Sequence, residues 1–374
     1  MSQITSQITS QAMTGTGAGT GAGTMSSLQR VLTTIGQSEP DRVPLFLLLT
    51  MHGARELGLS IHDYFADPRN VVEGQLRMRA KYRNDCYYAF FYAAIETKAW
   101  GAEVIYAEDG PPNCGGPLVR DLEDIRRLQL PRVADSLDLK RVLDAIAGLR
   151  ARDGETPIIG VVMSPFSLPV MQLGFERYLM LMLERPELFA HLMTLNEAFC
   201  VEWANAQLKS GATAICYFDP VSSQTISRPE DFRRLGKPVA VRTIAKIQGP
   251  VATHFASGRC LRIIDDLPAT GAALIGVSAD EDLGKLKQAA AGRLTLFGNL
   301  NGIAMRRWDA SAAEQAVKQA IAAAGPGGGF ILSDNHGEIP FQVPEETLLA
   351  IADAVERWGR YPLDWVTSKT SDSG

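Results

Sequence analysis

Eight short apolar runs recur between residues 43 and 333, and longer amphipathic stretches separate most of them. They are 43–50 (VPLFLLLT), 85–91 (DCYYAFF), 157–163 (PIIGVVM), 212–218 (ATAICYF), 251–255 (VATHF), 273–277 (ALIGV), 294–298 (LTLFG) and 330–333 (FILS). Each is rich in apolar or β-branched residues and lacks the alternation of a strand with one wet face, so each fits a strand buried on both sides of a parallel sheet. Between the runs, 175–184, 186–210 and 311–324 space apolar residues three and four apart, as a helix does when one face packs on a core. Pro186 stands where a helix can begin and Gly211 where one ends. Strand then helix, eight times, is the rhythm of an α/β fold, a single (β/α)8 TIM barrel. One extra run, 102–107, precedes Pro111 and Pro112 and reads as an insertion above the barrel rim.

The barrel is expected over 26–366. Residues 1–25 carry a Gly/Thr/Ala repeat with no charge and no aromatic ring, and read as a disordered extension that cannot offset its ordering entropy. Residues 367–374 read as a flexible tail, and Met25 is an alternative start to Met1. Lys+Arg 37 against Asp+Glu 42 gives a net charge of −5 without a basic stripe, which argues against nucleic acid. No apolar run reaches the ~18 residues of a membrane span. The odd, scattered set of Cys86, Cys114, Cys200, Cys216 and Cys260 has no CxxC and points to reduced thiols in a cytoplasmic protein.

In such barrels chemistry gathers at the carboxyl ends of the strands, where the loops converge on one mouth. The residues there are His52, Tyr92, Ser164, Asp219, His254, Ser278, Asn299 with Asn301, and His336 with Glu338. Three of the 5 histidines fall at these ends, whereas His62 and His191 lie in helical stretches and read as surface or packing residues. His254, in THFASG, would be held rigidly as a metal ligand or general acid, or would simply bond a neighbouring carbonyl. His336 stands with Asp334 and Glu338 in SDNHGE, either a catalytic group or a polar turn. Asp219, in CYFDP, would bind a cationic or NH-bearing ligand or cap the next helix. Cys216 reads as a packing residue, and GPGGGF at 325–330 as a turn, not a phosphate loop.

These residues together resemble the uroporphyrinogen decarboxylase superfamily. The likeness rests on EPDRVP (39–44), Asp85 followed by KAWG (98–101), GATAICYFDP (211–220), LFGNLNG (296–302) and ILSDNHGEIPFQVPEE (331–346), and it spans nearly the whole chain after residue 26. It implies single (β/α)8 barrels with one of two chemistries: decarboxylation of uroporphyrinogen, or zinc-dependent methyl transfer from corrinoid or methylated donors to a thiol. The decarboxylase pattern is kept at His336 and Arg55. It is broken where MHGAR (51–55) puts Met51 and His52 in place of Arg-Gln, and where Tyr92 replaces the pyrrole-binding aspartate. The methyltransferase pattern is kept at His254 and in PEDF (229–232). It is broken where Ala256 replaces a zinc-binding cysteine and where the last loop has none. His254, His336 and Glu338 would rebuild a two-His-one-carboxylate zinc site.

The resemblance therefore implies a methyltransferase or demethylase of a small substrate, with a corrinoid protein as donor or acceptor. His336, Glu338 and Asp219 would be catalytic, and His52, Arg55, Tyr92, Asn299 and Asn301 would bind substrate. A pyrrole decarboxylase and a non-catalytic ligand-binding barrel are the alternatives, and the family allows a homodimer.

Overall fold

The structure is a computed structural model that describes residues 24–290 and 292–367. Eight parallel strands form one sheet: β1 (Leu45–Phe46), β2 (Tyr87–Tyr88), β5 (Ile158–Met163), β6 (Ala214–Phe218), β7 (Val251–His254), β8 (Leu274–Gly276), β9 (Thr295–Leu300) and β10 (Phe330–Asp334). Their order is β1-β10-β9-β8-β7-β6-β5-β2, so after the first two strands each strand pairs with the next in sequence. Every predicted run coincides with one of these strands, though β9 and β10 extend past the ends of theirs, to Leu300 and Asp334. The run at 102–107 holds β3 (Val104–Ile105), which pairs antiparallel with β4 (Asn113–Cys114) in a separate hairpin.

The sheet curls in the manner of a TIM barrel, and side chains join its two end strands. The Asp85 amide donates to the Leu45 carbonyl at 2.8 Å, and the Leu45 amide returns a bond of 2.9 Å to the Asp85 carboxylate. Asn84 does the same for Leu47, accepting at 3.1 Å and donating at 3.2 Å. The buried Asp85 carboxylate also takes Ser27 at 3.0 Å, Arg30 at 2.6 Å and Arg42 at 2.7 Å. The EPDRVP segment thus supplies Arg42 to this seam, where paired charges are tolerated because each lone pair is satisfied.

Helices cover the outer face. Pro186 opens the helix Pro186–Lys209, and Gly211 follows it with φ 117°, a conformation that L side chains rarely adopt. Asp309 caps the helix Ala310–Ala324 by accepting the Ala312 amide at 2.8 Å. Two hydrophobic layers result. Residues such as Leu45, Val162, Tyr217 and Ile275 pack outward on the helices, while Phe46, Tyr88, Val161, Cys216, Phe297 and Ile331 form a second cluster inside the curl. Cys216 is a packing residue there, as its position suggested.

Both boundaries shift. The N-terminal extension lies outside the described residues up to residue 23. Met25, assigned to it, is tied down: its amide donates to Asp41 at 3.1 Å and its carbonyl accepts from Arg30 at 2.9 Å. The tail lies outside from residue 368, and Thr367 ends the helix Asp364–Thr367. No helix among the described residues is long and apolar enough to cross a membrane.

Candidate active site

Strand register builds the floor of the site. Phe218 of β6, His254 of β7, Gly276 of β8 and Phe297 of β9 are successive cross-strand partners. His254 stacks on Phe218 at 4.5 Å between centroids and meets the Phe297 edge at 5.2 Å. Gly276 makes this closure possible, since a Cβ there would lie 2.9 Å from Phe297 and 3.1 Å from His254. Burial lowers the His254 pKa to about 3, and the nearby His336 pushes the same way. Its Nδ1 accepts the Ala256 amide at 2.8 Å, a contact formed because Ala256 turns into the left-handed region at φ 52°. The neutral ring therefore carries its proton on Nε2.

The loop after β10 forms the opposite wall. Buried Asp334 accepts the Leu48 amide at 3.2 Å and the His336 amide at 3.3 Å. Burial raises its pKa to about 7 against the pull of these donors. In the amide orientation that satisfies all its neighbours, Asn335 donates to His336 Nδ1 at 2.6 Å and to the Leu300 carbonyl at 3.0 Å. His336 is half-buried; desolvation lowers its pKa while Asp280 opposes the shift. Gly337, with φ 108°, lies so close to Phe218 that a Cβ would stand 2.6 Å from the ring. Glu338 accepts the Met51 amide at 3.0 Å, and burial, with Asp334 adding, raises its pKa to about 8.

His254, His336, Glu338 and Asn299 thus gather at the strand ends, as the sequence suggested. Asn299 donates from Nδ2 to the Ser278 carbonyl at 3.0 Å, which leaves its oxygen as the amide's acceptor for a ligand. His52, expected at a strand end, instead opens the helix His52–Leu57 six residues after β1 and is sunk beneath the last loop, with the Phe341 edge 5.7 Å away; burial and then Arg55 lower its pKa to about 3.

Four expected site residues are instead engaged with the protein. Arg55 donates to the Phe341 carbonyl and, at 3.2 Å, to the Val343 carbonyl, with its guanidinium 4.6 Å from the Phe341 ring. Tyr92 bonds the Tyr106 hydroxyl at 3.0 Å, which fastens the β3–β4 hairpin. Asn301 accepts the Ala304 amide at 3.0 Å, at the start of the turn Ala304–Arg307. Asp219 accepts Ser164 at 2.6 Å and Ser167 at 2.7 Å, bracing the ends of β5 and β6 without capping the next turn by its side chain. The sequence reading left out Phe218, Phe297 and Gly276; their signal was strand phase, which sets them beside His254. It named Asp334 only as a neighbour, although that residue closes the last apolar run.

The proposed zinc set does not fit this arrangement. With Nδ1 of His254 accepting from Ala256, the other nitrogen bears hydrogen and has no lone pair for a metal. Among the described residues no group of three or more His, Cys, Asp and Glu side chains is placed to hold an ion.

A model of the uroporphyrinogen decarboxylase (URO-D) family matches residues 26–358. The chain belongs to the uroporphyrinogen decarboxylase family. Curated URO-D relatives include a uroporphyrinogen decarboxylase from Azoarcus sp. (strain BH72), 27% identical over 306 residues that cover 78% of this chain and 83% of the relative. Another, from Xanthomonas euvesicatoria pv. vesicatoria, is 26% identical over 346 residues, covering 84% and 94%. Among solved structures, a methyltransferase from Methanosarcina mazei superposes with a TM-score of 0.79 at 18% identity, covering 89% of this chain and 99% of its own. That likeness is one of fold. Members of the URO-D family are enzymes.

Proposed function

We propose that the chain is a methyltransferase or demethylase acting on a small substrate, with Glu338 and His336 handling the proton and a corrinoid protein as methyl donor or acceptor. The reading takes the curled sheet as a closed (β/α)8 barrel, sealed at Asp85. The observation that carries it is the charge of the mouth: Arg55, the surviving arginine of the first loop, is spent on Phe341 and Val343, while Asp334 and Glu338 lie buried opposite. A tetrapyrrole bearing eight carboxylates would find no free guanidinium among these groups, and the two carboxyls beside them are buried and offer it no positive charge.

Methyl transfer to an acceptor X–H forms X–CH3, leaves the donor with the bonding pair, and releases one proton. Glu338, with its pKa raised to about 8, takes that proton in its ionised form above that pH, and in its protonated form returns one in the reverse direction. His336, fixed through Nδ1 by Asn335, presents Nε2–H to orient the acceptor. Aromatic Phe218 and Phe297 exclude water from the floor.

Retention of His336 in the last loop favours a second reading, decarboxylation of a carboxylated pyrrole. Purified protein incubated with methylcob(III)alamin and a thiol should lose the methyl–cobalt absorbance, and His336→Ala should abolish that loss while keeping the fold. Conversion of uroporphyrinogen to coproporphyrinogen without methyl transfer would sink the first reading. Inertness in both assays would leave a ligand-binding barrel.

A further inference from the structure

The last loop meets the first through three hydrogen bonds at its near end. Leu48 donates to Asp334 at 3.2 Å, Ile339 donates to the Leu48 carbonyl at 3.1 Å, and Met51 donates to Glu338 at 3.0 Å. Beyond Glu338 the loop turns back over His52, and Arg55 grips it there. Its planar fork donates to two carbonyls two residues apart while its face covers the Phe341 ring. That geometry suits a guanidinium and no other side chain.

We propose that Arg55 is a positioning residue: it cross-links the first and last loops so that Glu338 stays on the Met51 amide and Gly337, next to His336, stays against Phe218. The proposal rests on the reading of Glu338 and His336 as the proton-handling pair. Arg55 would therefore act through other residues without touching substrate. Asp334 and Tyr64 are the titratable neighbours of Glu338, and each is bonded elsewhere than to the carbonyls Arg55 holds: Asp334 accepts the Leu48 amide and Tyr64 donates to the Val71 carbonyl. Gln342 supplies the remaining distal tie, donating to the Asp109 carbonyl at 2.7 Å.

The test needs no substrate. Amide hydrogen exchange is measured residue by residue in the full chain, for Arg55→Ala, Arg55→Lys and Phe341→Leu. Exchange at Met51 and Ile339 should speed up by about tenfold or more in Arg55→Ala, and by less in Arg55→Lys, with the β9 core amides unchanged. Phe341→Leu removes the ring alone and should give the same local pattern, which keeps the test open if the alanine variant does not fold. Unchanged Met51 and Ile339 would overturn the proposal. So would uniform acceleration that includes β9, since that assigns Arg55 to global stability. If methyl transfer is also observed, Arg55→Ala should lower kcat and leave KM in place; absence of methyl transfer would count against the function and leave the exchange result standing.

Discussion

His254 lies flat against Phe218, with ring planes 11° apart, while the Ala256 amide occupies its Nδ1. A ring so enclosed pays heavily for a positive charge, which explains why this histidine at the strand ends of the curled sheet is neutral throughout the physiological range.

His254 should keep its neutral NMR signature down to about pH 3. In Phe218→Ala, water reaches the ring and the titration should move up toward the ordinary ~6.5. The sign for stability follows: the unfolded chain protonates this histidine first, so its contribution is whole above about pH 6.5 and is lost as the pH falls toward 3. A midpoint that does not move in the variant would refute the enclosure by Phe218.

Glu338→Gln should raise the melting temperature at pH 9 and leave it nearly unchanged at pH 4. Glu338 has a folded pKa of about 8, above its unfolded value of roughly 4.3. Its contribution is therefore full below about pH 4 and is withdrawn as the pH climbs through 8. The glutamine oxygen can still accept the Met51 amide, so the gain at high pH should reach roughly 2 °C or more. Thermal scans at the two pH values read the difference directly; equal shifts at both would contradict a buried carboxyl.

Gly276→Ala would force a methyl group between Phe297 and His254. Displacing two buried rings should cost about 1–3 kcal/mol in urea unfolding, and the His254 resonances should shift with it. Wild-type stability together with an unmoved His254 spectrum would show that the rings are not closed over Gly276.

Asp85→Asn leaves Arg30 and Arg42 without their shared carboxylate at the β1–β2 seam. Removing one member of a buried ion-paired group typically costs about 3–5 kcal/mol. Equilibrium unfolding should show a loss of that order, with local exchange fastest at Leu45 and Leu47; a change below ~1 kcal/mol would mean that the seam holds by other bonds.

The eight strands and the rim positions of His254 and His336 were determined by the sequence alone. Burial on both faces leaves an uninterrupted apolar run, and in parallel α/β sheets the residue after such a run falls on the functional edge. The partners of each polar group were decided by tertiary structure. Only the folded chain sets carbonyls 341 and 343 within reach of Arg55, the Ala304 amide beside Asn301, and the Ser164 and Ser167 hydroxyls on Asp219. A side chain's protonation and hydrogen bonds depend on groups up to 288 residues away in the chain, as Arg55 and Val343 are, and no local pattern records which of them it will meet.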